Sequence, residues 1–134
     1  MSRGAVAVVV SKDIQAIPAF TNSINQATII WVEDTRIALS RMAANFAGRP
    51  SESLKMIGVT GTNGKTSITY LIHAMLEKQE GNVGQIGSLG ILINNKWRDS
   101  THTTPESLEL QKILKNMLDS DAHSCVMEVS SHAL

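Results

Sequence analysis

A chain of 134 residues with 12 basic and 12 acidic side chains has no formal net charge, which argues against a polyanion-coating role and against nucleic acid as a partner. The length suits one ordinary domain with a real core, and no apolar run approaches a bilayer span, so no membrane partner is expected. A single cysteine, Cys125, lies in an apolar run and cannot form an internal disulfide, which fits a reducing, cytoplasmic setting and a core role.

In chain order, Ala5 to Val10 reads as a buried strand and not as a signal segment, because charge returns at Lys12 and Asp13 without a small-residue cleavage pattern. Thr28 to Val32 is a second strand. A helix follows, with Asp34 as its N-cap and Leu39, Met42, Ala43 and Phe46 as its apolar stripe, closed by Gly48 and Pro50. Gly48 to Ser53 is short, polar and rich in breakers. Two strands and a helix are too little to bury a core alone. Residues 1–47 are therefore expected to be a remnant of a larger domain, in a chain truncated at its front, and the breaker-rich stretch within 48–54 to be a linker and domain boundary.

The second part opens with a strand, Lys55 to Thr60, that turns through Gly61-Thr62-Asn63-Gly64-Lys65-Thr66-Ser67 into a helix over about Lys65 to Gln79. Glycines at such a turn let backbone N–H groups converge on an anion, and the helix start adds unpaired N–H groups and the positive end of its dipole. Lys65 suits terminal phosphate oxygens, and the hydroxyl of Thr66 or Ser67 suits Mg2+. The longer phosphate-loop pattern wants glycine where Val59 stands, so the match is to the shorter G-T-x-G-K-[ST] form. A Gly-rich turn with a solvated lysine is the bland alternative. Ile68, Leu71, Ile72, Met75 and Leu76 at helical spacing favour the phosphate cradle, since strand, loop and helix come in the required order.

Val83 to Ile86 completes a βαβ unit with an expected right-handed crossover and a parallel sheet, and Ile91 to Ile93 adds a short strand before a polar stretch, Asn94 to Thr101. Thr104 is expected to cap the next helix, with Pro105 in its first turn and Leu110, Ile113, Leu114, Met117 and Leu118 on its buried face. The strand Ser124 to Val129 contains Glu128 among apolar neighbours. A carboxylate there is costly unless paired or metal-bound, and at the carboxyl end of a parallel strand it faces the ligand crevice. A register that turns it to the surface is the alternative; a phosphate loop on a neighbouring strand favours a Mg2+ ligand. Ser130 and Ser131 suit a helix entry and lack a base to make a nucleophile. His73, His102, His123 and His132 have no metal-ligand spacing and read as helix surface, loop, turn and loop.

Three segments in this order and spacing, Gly61 to Thr66, Thr103-Thr104-Pro105-Glu106-Ser107 and Met127 to Leu134, resemble the Mur ligases. The first alone is shared with folylpolyglutamate and cyanophycin synthetases, which stay as alternatives beside a stand-alone nucleotide-binding module and an interaction fragment. The resemblance implies that 1–47 is the end of a smaller α/β N-terminal UDP-substrate domain and 55–134 the first part of a central parallel-sheet P-loop ATPase domain, in the branch that adds the third amino acid of the peptidoglycan stem peptide. It further implies ATP and Mg2+, UDP-N-acetylmuramoyl-L-alanyl-D-glutamate, and lysine or meso-diaminopimelate, joined through an acyl phosphate. Site residues carried over on the motif are Gly61, Thr62, Asn63, Gly64, Lys65, Thr66 and Ser67 for ATP phosphates, with Lys65 stabilising the transferring group. Thr66 and Glu128 become Mg2+ ligands, and Thr103, Thr104 and Ser130 contacts to the muramoyl-peptide. His102 departs from the asparagine that relatives often carry there. The whole enzyme is expected to be a cytoplasmic monomer and this piece to be inactive alone.

Overall fold

A computed structural model describes residues 4–13, 27–100 and 102–131. His132, Ala133 and Leu134 of the third motif lie outside the described residues. The chain divides into two compact units, 1–42 and 43–134.

In the first unit, β1 (Ala7–Ser11) and β2 (Thr28–Val32) pair in parallel, Ala7 opposite Thr28 and Ser11 opposite Val32. Within β1 only Val10 is buried, so the expected buried strand is mostly a half-covered one. The helix α1 (Thr35–Phe46) begins where expected: the Asp34 carboxylate accepts from the N–H groups of Arg36 at 2.7 Å and Ile37 at 3.0 Å. Of its expected apolar stripe, Ala43 is buried, whereas Leu39, Met42 and Phe46 are exposed.

In the second unit Pro50–Ser53, within the stretch read as linker, forms a one-turn helix, α2, and Leu54 after it joins the core. The strands β3 (Lys55–Val59), β4 (Val83–Gly87), β5 (Gly90–Ile93), β6 (Lys96–Arg98) and β7 (Ser124–Glu128) form one sheet in the order β3-β7-β4-β5-β6. β7 lies between β3 and β4, parallel to both. β5 and β6 run antiparallel, so the sheet is mixed and the expectation of a parallel sheet is corrected. The cause is loop length, because two-residue turns can join only antiparallel strands. Ser88-Leu89 joins Gly87 to its partner Gly90. Asn94-Asn95 joins Ile93 to its partner Lys96, with φ 49° and 58°, the left-handed pair of a type I′ hairpin turn. The stretch read as a polar loop thus hides β6.

α3 (Lys65–Glu80) and α4 (Ser107–Leu118) cover opposite faces of this sheet. Side chains alternate along a strand, so Cys125 and Met127 face one way and Ser124, Val126 and Glu128 the other. The first pair packs with Ile86, Ile113, Leu114 and Met117 into the apolar core under α4. The Ser124 hydroxyl reaches the Glu80 carboxylate at the end of α3, which fixes the second row as the α3 face. On that face the buried residues of α3 are Thr69 and His73, while Ile68, Leu71 and Met75 are exposed. His73, expected on the helix surface, is buried with Nε2 3.1 Å from the Val83 carbonyl oxygen. α4 begins two residues later than expected, with Glu106 at its N-cap and no capping side chain, so Thr104 is not its cap.

Candidate functional site

β3, β7 and β4 are parallel and neighbours, so their carboxyl ends lie together, the place where open α/β sheets bind ligands. From the end of β3 the loop Gly61 to Gly64 leads into α3. Gly61 at φ 145° and Gly64 at φ 79° hold conformations that side-chain-bearing residues rarely adopt, which is why glycine stands at both. Gly64 is the N-cap of α3, and no side chain caps the helix there, leaving first-turn N–H groups to an anion. Lys65 turns its ammonium onto the loop, donating to the Gly61 carbonyl oxygen at 2.8 Å. A phosphate oxygen can replace that neutral acceptor with a charge-assisted bond. Thr62, Asn63 and Ser67 are exposed, while Lys65 and Thr66 are half-buried.

Glu128 ends β7, opposite Val59 in the register, and is 2% exposed. Its Oε1 accepts from the Ser88 amide at 3.0 Å and from the Ser88 hydroxyl at 3.2 Å. The same Ser88 hydroxyl lies 3.1 Å from the Thr66 hydroxyl. Thr66 and Glu128, expected to share an ion, are therefore no further apart than those two hydrogen bonds laid end to end. A serine has one proton, and when it goes to the carboxylate, Thr66 must be the donor to Ser88. The polarity then runs from Thr66 through Ser88 to Glu128. Thr66 sends its proton inward and keeps oxygen lone pairs for a cation.

Gly87 makes room for this arrangement. A Cβ there would stand 2.3 Å from Glu128 Oε1, so the carboxylate occupies the volume of a missing side chain. Among the described residues no group of three His, Cys, Asp or Glu side chains could hold a metal by itself. One carboxylate and one hydroxyl beside a phosphate cradle do suit Mg2+, which usually takes few protein ligands and completes its shell with phosphate oxygens and water.

The other carried-over residues meet at the same strand end. Thr104 Oγ1 donates to the Glu128 carbonyl oxygen at 2.9 Å and accepts from the Ser130 N–H at 3.0 Å. Thr103 is half-buried beside it, and His102 is exposed with its carbonyl accepting from the Ser100 hydroxyl at 2.7 Å. Glu128 is thus the node between the loop cluster and the threonine cluster. Ser88 and Gly87 escaped the sequence reading; the available signal was Gly87-Ser88-Leu89-Gly90, a two-residue turn bounded by glycines after a buried strand.

The Mur ligase middle domain matches residues 59–134, more than half of the chain. The chain belongs to the Mur ligase family. It is 44% identical over 134 residues to the UDP-N-acetylmuramoyl-L-alanyl-D-glutamate--2,6-diaminopimelate ligase of Caldanaerobacter subterraneus, covering all of this chain and 26% of that protein. The ligase of the same name from Alkaliphilus oremlandii is 48% identical over 134 residues, again with 26% of its length covered. A solved structure of a UDP-N-acetylmuramoyl-L-alanyl-D-glutamate--2,6-diaminopimelate ligase superposes with TM-score 0.64 at 25% identity, over 94% of this chain and 29% of that one. The Mur ligase chain described here spans about a quarter of the length of these relatives.

Proposed function

We propose that the chain is the nucleotide-binding part of an ATP-dependent ligase that adds a diamino acid to UDP-N-acetylmuramoyl-L-alanyl-D-glutamate in peptidoglycan synthesis. The names of the relatives favour 2,6-diaminopimelate over lysine as the incoming amine. Residues 1–47 then belong to the end of an N-terminal α/β domain, and 55–134 to the first part of a P-loop ATPase domain. The observation that carries the reading is the hydrogen-bonded series from Thr66 through Ser88 to Glu128, set beside a glycine-lined helix start at the ends of three parallel strands.

The chemistry needs such a site because a carboxylate repels an amine and offers no leaving group until a phosphate is installed on it. Binding and orientation then supply most of the acceleration. In this reading Gly61 to Ser67 cradle the phosphates and Lys65 leaves the Gly61 carbonyl to stabilise the transferring group. Thr66 and Glu128 would hold Mg2+, which neutralises phosphate oxygens when bound. Thr103, Thr104 and Ser130 would meet the muramoyl-peptide.

Titrating Mg-ATP against wild type and Lys65→Ala tests the phosphate cradle. Removing a charge-assisted contact to phosphate should cost about 1.5–3 kcal/mol, a more than roughly tenfold weakening. Equal affinity in two folded proteins would sink the reading.

A further inference from the structure

We infer that Thr104 is a positioning residue for the nucleotide side of the site, tying the Thr103-Thr104 segment to the end of β7 and so setting Glu128. The inference rests on the reading that Glu128 serves a nucleotide-bound ion, and it gives Thr104 a task beyond contact with the muramoyl-peptide. Helix capping is ruled out as its role, because α4 starts at Ser107 with Glu106 at the N-cap. The hydroxyl is spent elsewhere: its one proton goes to the Glu128 carbonyl, and one lone pair takes the Ser130 N–H.

The reason lies in the sheet. On its β3 side, β7 is held to the end, with Val59 opposite Glu128 and the Val129 N–H donating to the Val59 carbonyl at 2.8 Å. On its β4 side the register stops one residue sooner, at Ile86 opposite Met127. There β4 turns into its hairpin, and the Ser88 amide goes to the Glu128 side chain. The main chain from Glu128 to Ser130 needs another partner on that side, and Thr104 supplies both a donor and an acceptor, as a strand would. The residue that carries the carboxylate is thereby gripped from both edges. A peptide substrate drawn to the threonine segment would also pull on the backbone of the ion's carboxylate.

The test uses the 134-residue chain with no muramoyl-peptide present, a condition under which a pure substrate contact has no effect. ATP is titrated with Mg2+ and with EDTA against wild type, Thr104→Val, Thr104→Ser and, as control at an exposed nearby residue, Leu108→Ala. We expect Thr104→Val to lose about five- to tenfold of the Mg2+-dependent affinity, with metal-free ATP affinity unchanged. Thr104→Ser and Leu108→Ala should match wild type. An unchanged Mg2+-dependent gain in Thr104→Val overturns the inference, as does an equal loss with and without the ion, which marks general damage. Should Thr104→Val not fold, amide exchange at Ser130 decides in wild type and Thr104→Ser: slow exchange in both supports the clasp, and fast exchange in wild type overturns it. A wild type with no affinity for ATP overturns the proposed function, and this inference with it; intact wild-type affinity beside an unaffected Thr104→Val overturns the inference alone.

Discussion

α3 and α4 lie on the same sheet and are used in opposite ways. α4 presents Ile113, Leu114 and Met117 to Ile86, Cys125 and Met127, and that face is closed and apolar. α3 covers a row of Ser124, Val126 and Glu128 with Thr69 and His73, while Leu71 and Met75 point away, 65% and 71% exposed. One face supplies cohesion through apolar burial, and the other supplies buried polar groups that must be hydrogen-bonded. The lesson is that β7 serves both, alternating Cys125 and Met127 with Ser124 and Glu128. A strand can therefore be a stability element and a ligand-site element at alternate residues.

The comparison breaks first if the two helices respond alike to truncation. Leu114→Ala removes a side chain that is 1% exposed and should cost about 2–5 kcal/mol in denaturant unfolding. Leu71→Ala should stay within about 0.5 kcal/mol, since its side chain is mostly in water. Equal losses would mean that α3 is held by its apolar stripe after all.

Two glycines of β4 sharpen the contrast at smaller amplitude. A Cβ at Gly84 would meet Met117 Sδ at 2.3 Å, and one at Gly87 would meet Glu128 Oε1 at the same 2.3 Å. The steric insult is matched, but the victims differ. Gly84→Ala should cost about 1 kcal/mol of stability as Met117 gives way, with Mg-ATP affinity intact. Gly87→Ala should also cost about 1–3 kcal/mol, as Glu128 is pushed from Ser88, but in addition lose about tenfold in Mg2+-dependent ATP affinity, because the carboxylate loses its place. Swapped outcomes in paired unfolding and titration experiments would refute the assignment of the two faces.

The closed face was the legible one. Leu110, Ile113, Leu114, Met117 and Leu118 fall at helical spacing, and burial follows spacing when a helix packs on an apolar surface. In α3 the residues at helical spacing divide: Ile72 and Leu76 are half-buried, while Ile68, Leu71 and Met75 are exposed. The helix start is pinned by the phosphate loop, and on its inner side the Thr69 hydroxyl donates to the Thr66 carbonyl and His73 Nε2 meets the Val83 carbonyl, so the buried positions carry groups bonded to main chain. Glu128 was legible because a lone carboxylate in an apolar strand has few uses. Ser88 was not, since its role arises from a hairpin that brings a turn against a helix twenty-two residues away in sequence. The Asn94-Asn95 turn carried a readable signal in two residues that tolerate positive φ, yet its polarity made it look like loop.

The smallest effect separates the faces by pH. Glu80, on the α3 face, is held below its ordinary value of 4.5, first by its hydrogen bond from Lys55 and then by that from Ser124. Because its folded value is depressed, its contribution is present above pH 4.5 and is lost as pH falls through the lowered value. Cys125, on the α4 face, is moved the other way, burial pushing its thiol from 9.0 up to about 12. Below pH 9 both folded and unfolded chains keep that proton; between pH 9 and about 12 only the unfolded chain releases it, so stability falls as pH rises. Glu80→Gln should therefore flatten the acid limb of a stability–pH curve and leave the alkaline limb alone. Cys125→Ala should do the reverse, after a uniform loss from the cavity it leaves. Iodoacetamide gives a second measure, since a buried thiol with a raised value should resist alkylation in the native state at neutral pH. Fast native-state labelling, or an alkaline limb unchanged in Cys125→Ala, would show that the face under α4 is less closed than the packing of Leu114 and Met117 implies.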